Sequence, residues 1–78
     1  MGLALNFGEN VRRLRAARGL TIEALAHEVG LAYTYVGQIE RGRRNPTLRV
    51  VELFAKALGA DPLELLRPPA TSPGPAER

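Results

Sequence analysis

The chain has 78 residues and a mass of 8.5 kDa, enough for one small core and too little for a second, ligand-sensing domain. It contains no cysteine, one histidine (His27) and one serine (Ser72), which rules out the commoner zinc sets and leaves no evident nucleophile, so neither catalysis, a metal nor a cofactor is expected. Eleven basic side chains, ten of them arginine, against eight acids give a net charge of +3 and a pI near 10.2, a mildly basic balance suited to phosphate-bearing partners.

Hydrophobic residues make up 45% and charged residues 24%, close to the globular average, so the chain is expected to fold. No apolar run approaches the roughly 18 residues a membrane span needs, and Met1 to Leu5 lack the basic start of an export signal. A cytoplasmic protein is expected, nucleoid-associated when bound to DNA, with no membrane partner and no small-molecule ligand.

The elements all read as helices. Asn6 and Glu9 have the spacing of a capping box, after which Phe7, Val11, Leu14 and Arg18 recur at helical spacing until Gly19. Thr21 caps a second helix with the apolar stripe Ile22, Leu25, Ala26 and Val29, ended by Gly30. A third begins near Tyr33 and runs to Arg41, where Gly42 stops it. After the polar loop Arg43 to Pro46, Thr47 caps a fourth helix in which Leu48, Val51, Phe54, Ala55 and Leu58 share one side and Gly59 closes. Asp61, Pro62 and Glu64 begin a last short helix that reaches about Arg67. The segment from 68 to 78 holds four of the six prolines and little that can be buried, and is expected to be a disordered tail. The expectation is a compact, all-α, five-helix domain over residues 1–67.

Two short helices joined by about three residues that include a glycine have the form of a helix-turn-helix, whose second helix enters the major groove of DNA. At about 100° per residue, Tyr33, Thr34, Gly37, Gln38 and Arg41 fall on one side of the third helix, and Tyr35, Val36, Ile39 and Glu40 on the other. Gln38 suits a bidentate pair with adenine, although a solvated surface residue has the same pattern. Gly37 is unfavourable in mid-helix, and either close approach to a duplex or close helix packing accounts for it. Arg41, Arg43 and Arg44 form a basic cluster with the fork geometry that suits phosphate.

The runs LTIEALAHEVG (20–30), TYVGQIERGRRNPTL (34–48) and FAKALGADPLELL (54–66) resemble the Cro and lambda-repressor type of helix-turn-helix, often called Xre-like, which includes restriction-modification controller proteins. The resemblance covers about residues 7–66. It implies a lambda-repressor-like fold in which Tyr33, Thr34, Gly37 and Gln38 address base edges, while Thr21, Arg41, Arg43 and Arg44 address the phosphate backbone. It also implies a structural ion pair between Arg15 and Glu40. Ile22 stands where many relatives carry a phosphate-reaching glutamine, and Ala32 offers no hydroxyl before the third helix.

A single recognition helix reads few base pairs, so two copies on half-sites about 34 Å apart are expected. Val50, Leu53 and Ala57 form a second apolar stripe on the fourth helix, which with Leu63 or Leu66 makes a candidate two-fold interface; burial within one monomer is the alternative. The function this implies is a homodimeric, sequence-specific regulator of transcription on a palindromic operator of double-stranded DNA, controlled by its own concentration. The rival reading is a protein-interaction module of antitoxin-like or regulator-binding type built on the same fold.

Overall fold

The computed structural model describes residues 2–69. Among them are five helices: α1 (Leu3–Ala17), α2 (Ile22–Val29), α3 (Tyr33–Glu40), α4 (Leu48–Leu58) and α5 (Pro62–Leu66). Most of the expected tail, residues 70–78, lies outside the described residues. The four glycines expected to stop helices, Gly19, Gly30, Gly42 and Gly59, all take left-handed backbone angles, with φ of 70°, 73°, 73° and 67°. Thr21, Thr47 and Asp61 cap as their spacing predicts, accepting from the amides of Ala24, Val50 and Leu63.

The start of α1 departs from expectation. The helix begins at Leu3 after Gly2, which offers no side-chain cap, and Asn6 lies inside it with its own amide bonded to the Gly2 carbonyl at 2.9 Å. The Asn6 side chain instead donates to the carbonyl of Leu66 at 3.2 Å, sixty residues away. A capping-box spacing is a local signal, and here a tertiary bond takes up the residue that carries it.

The core gathers Phe7 and Val11 from α1, Leu25, Ala26 and Val29 from α2, and Val36 and Ile39 from α3. Val51, Phe54, Ala55 and Leu58 from α4 and Leu65 from α5 complete it. Phe7 and Phe54 meet edge to face, with ring centroids 5.5 Å apart, and join the first helix to the fourth. Leu14 and Ile22 pack against it half-buried, and two positions of the expected helical stripes are exposed. Leu48, at the first turn of α4, is 77% exposed, at an open groove that it lines with Leu3, Pro46 and Leu66 and that no other described element covers. Arg18, at the end of the α1 stripe, is exposed and donates to the carbonyl of Ala57, where it meets one of the free carbonyls ending α4.

Asn10 is the buried polar residue that periodicity missed. At 1% exposure, its amide donates to the carbonyls of Glu64 (3.3 Å), Leu65 (2.9 Å) and Arg67 (2.8 Å), while its oxygen accepts from Arg13 at 3.1 Å. A helix of five residues satisfies few of its own carbonyls, so α1 supplies the donors that end α5. At Gly8 the α1 backbone lies directly against the end of α3: a Cβ there would stand 2.2 Å from the Ile39 carbonyl oxygen. Only glycine permits that approach.

Candidate nucleic-acid interface

Helices α2 and α3 are eight residues each, too short to hold together without tertiary packing. Ala26, at 4% exposure, allows them to cross closely over Val36 and Ile39. Gly30 makes the turn, and the amide of Leu31 donates to the Ala26 carbonyl at 3.0 Å, closing the end of α2 in a Schellman arrangement. Ala32 is an extended N-cap without a side-chain bond, so the first turn of α3 keeps amides free.

A buried ion pair fixes α3 against α1. Arg15 Nε lies 2.6 Å from Glu40 Oε2 and its Nη2 3.1 Å from Oε1, while Nη1 donates to the Leu20 carbonyl at 2.7 Å. The side chains are 15% and 5% exposed. The hydrogen bond to Glu40 raises the Arg15 pKa above the ordinary arginine value, against the opposing pull of burial, and the carboxylate's charge adds to the rise.

On the outer side of α3, Tyr33 is 56% exposed and Thr34 is exposed, whereas Gln38 is half-buried. The Gln38 oxygen accepts from Arg44 Nη1 at 3.2 Å, and the Arg44 guanidinium lies 4.9 Å from the centre of the Tyr35 ring. Arg44, assigned to phosphate by resemblance, is thus positioned beside the candidate base reader. One lone pair and both amide hydrogens of Gln38 remain available, as a pair with adenine needs. Arg41 and Arg43 are exposed, and the Arg43 amide donates to the Gln38 carbonyl at 2.9 Å. Their charges also suit the negative end of α3.

Gly37 lies on this side of α3 as well, beneath the end of Arg41. It is buried, and a Cβ there would meet only the Arg41 guanidinium, at 3.7 and 3.9 Å. Ordinary contact at the tip of a flexible side chain gives no packing reason for glycine, in contrast to Gly8. His27 is exposed on α2.

Of the second apolar stripe, Val50, Leu53 and Ala57, and the two residues offered to join it, Leu63 and Leu66, three line grooves. Leu53 (39% exposed) and Ala57 line a shallow groove with Glu28, Val29 and Lys56. Leu66 lines another, with Leu3, Phe7, Pro46, Leu48 and Val51. Val50, Ala57 and Leu66 pack in part on their own core, and Leu63 is 65% exposed. Leu66 and Leu53 thus line different grooves. Leu3 and Leu5 are further exposed apolar residues that the periodicity did not single out. Among the described residues no group of three or more His, Cys, Asp or Glu converges, and no helix is long and apolar enough to cross a membrane.

This geometry agrees with what the chain is similar to. The helix-turn-helix domain family model matches residues 6–67. The control protein C.BamHI of Bacillus amyloliquefaciens is 43% identical over 65 residues, covering 82% of this chain and 80% of the relative. The crystal structure of the restriction-modification controller protein C.AhdI from Aeromonas hydrophila is 45% identical and superposes with a TM-score of 0.75, covering 80% of this chain and 94% of that one. The controller protein C.Esp1396I, solved as a tetramer in complex with its natural 35-base-pair operator, is 31% identical with a TM-score of 0.74, covering 83% of this chain and 86% of that one. The chain belongs to the helix-turn-helix domain family, within the Cro and lambda-repressor type of regulator.

Proposed function

We propose that the protein is a sequence-specific, duplex-DNA-binding regulator of transcription, cytoplasmic and without catalytic chemistry, acting as a homodimer on a two-fold symmetric operator. The observation that carries this reading is the outer side of α3. There a half-buried Gln38 is held by Arg44 over Tyr35, beside exposed Thr34 and Tyr33 and flanked by Arg41 and Arg43. A side chain already ordered before binding loses less freedom on meeting a base edge. Thr21 and the three arginines supply backbone contacts around it. The operator complex of C.Esp1396I supports the reading by similarity.

Selection of bound duplexes from a random pool tests it. The wild-type chain is expected to enrich a two-fold symmetric motif, and Gln38→Ala is expected to lose about 1 to 3 kcal/mol of preference at one position in each half-site. Featureless enrichment, together with binding that ignores salt, would point instead to a protein-interaction module.

For the dimer we propose the Leu53 edge of α4, with Val50 and Ala57 beside it. Leu53→Glu is expected to sediment as a folded monomer with weakened operator binding, and Leu48→Glu to remain a dimer. The reverse outcome would move the interface to the groove that Leu48 shares with Leu3 and Leu66.

A further inference from the structure

Gly42, with φ of 73°, turns the chain back along α3, and the amides of Gly42 and Arg43 close that helix on the carbonyls of Ile39 and Gln38, both at 2.9 Å. The reversal lays Arg44 beside Gln38, six residues earlier, instead of carrying it away from the helix. Its guanidinium has two partners there. Nη1 donates to Gln38 Oε1 at 3.2 Å, and the group lies over the Tyr35 ring, 4.9 Å from its centre. Tyr35 is half-buried against the core, so the ring is a fixed platform. Among the described residues no carboxylate pairs with Arg44 and draws it elsewhere.

The consequence falls on the Gln38 amide. An unrestrained glutamine can turn its amide over, so at a given point it offers a base edge either its oxygen or its nitrogen. Turned over here, the amide would set its N–H groups against those of Arg44, donor against donor. Oε1 therefore stays on the Arg44 side and Nε2 on the other. A base edge that fits this order has an acceptor opposite Nε2 and a donor opposite Oε1, as N7 and N6 of adenine supply. Guanine presents acceptors at both N7 and O6 and leaves Oε1 without a donor.

We propose that Arg44 is a positioning residue that sets the specificity of the interface: held on Tyr35, it fixes the Gln38 amide in the order that reads adenine and rejects guanine. The inference rests on the DNA-binding reading above and deepens it, since a contact of Arg44 with the backbone adds affinity but no sequence information. Arg44→Lys separates the two roles. Lysine keeps the charge that suits phosphate and lacks both the planar face for the ring and the fork that holds the amide.

Gln38 is the only glutamine in the chain, so its side-chain amide gives one assignable pair of proton resonances. In the protein without DNA the pair is expected to lie away from the position of a free glutamine amide, and to move toward it in Arg44→Lys. On DNA, the selected operator competes with its guanine variant at the position that depends on Gln38. Arg44→Lys is expected to lower the preference for adenine there by about 3- to 10-fold, the worth of one hydrogen bond. The slope of log affinity against log salt is expected to hold, since the charge is kept, as is the melting temperature, since Arg44 is exposed. Added to Gln38→Ala, the same change is expected to cost no further preference, because Arg44 acts through Gln38. An unaltered preference in Arg44→Lys, a wild-type preference for guanine, or a Gln38 amide already at the free position overturns the positioning role and leaves the DNA-binding reading in place. A loss repeated in full on the Gln38→Ala background overturns it too, since Arg44 then acts on the base by itself. Selection that enriches no duplex at all overturns both readings.

Discussion

Glu40→Ala is expected to destabilise the fold by about 3 to 5 kcal/mol, because it leaves the Arg15 guanidinium buried without its counter-charge. The carboxylate is 5% exposed and receives two bonds from Arg15, so water replaces it poorly. For a domain of this size each kcal/mol corresponds to roughly 4 to 8 °C in melting temperature, and a fall of at least about 12 °C is expected in a calorimetric or circular dichroism melt. The double change Arg15→Met with Glu40→Leu is expected to recover much of the loss, since neither charge then remains buried. A single variant no less stable than the double one would show that the pair contributes nothing as a pair. The arginine side of this pair does not limit it at ordinary pH. With the folded pKa of Arg15 raised, its contribution is fully present below the unfolded arginine value and is lost only as pH climbs through the still higher folded one.

The second large effect is expected at Gly8. On helix propensity alone, Gly8→Ala would stabilise α1 by about 1 kcal/mol. The added Cβ would stand 2.2 Å from the Ile39 carbonyl oxygen and 2.9 Å from that of Glu40, and both are backbone. Helix α3 has to move away, so a net loss of about 1 to 3 kcal/mol is expected, with duplex binding falling further than stability alone explains. Gly37→Ala is the matched comparison: its Cβ meets only the end of Arg41, so the folded chain is expected to gain stability while binding duplex more weakly, through a methyl group added to the side of α3 proposed to meet the bases. Equal stability changes in urea titrations of the two variants would remove the argument that α1 and α3 are in backbone contact at Gly8.

Much of the fold was legible in the residues because the signals were local. Thr21, Thr47 and Asp61 begin helices through bonds that span two or three residues, and four glycines end them by taking backbone angles that other residues resist. The buried sides of α2 and α3 follow from spacing, as does the turn at Gly30. The misreadings at Asn6 and Leu48 share one cause. Each spacing describes a single helix, whereas burial depends on which neighbour covers it.

What the sequence by itself determined is therefore the number of helices, their order and the helix-turn-helix, since capping, glycine stops and 3.6-residue periodicity act within a few residues of chain. Only the tertiary structure decided how those helices are held and what they present. Asn10 ends α5 across more than fifty residues, Gly8 brings α1 against the α3 backbone, and Arg44 is set between Tyr35 and Gln38. The reason is the same in each case: packing brings together groups far apart in sequence, and a pattern read along one helix does not contain those distances.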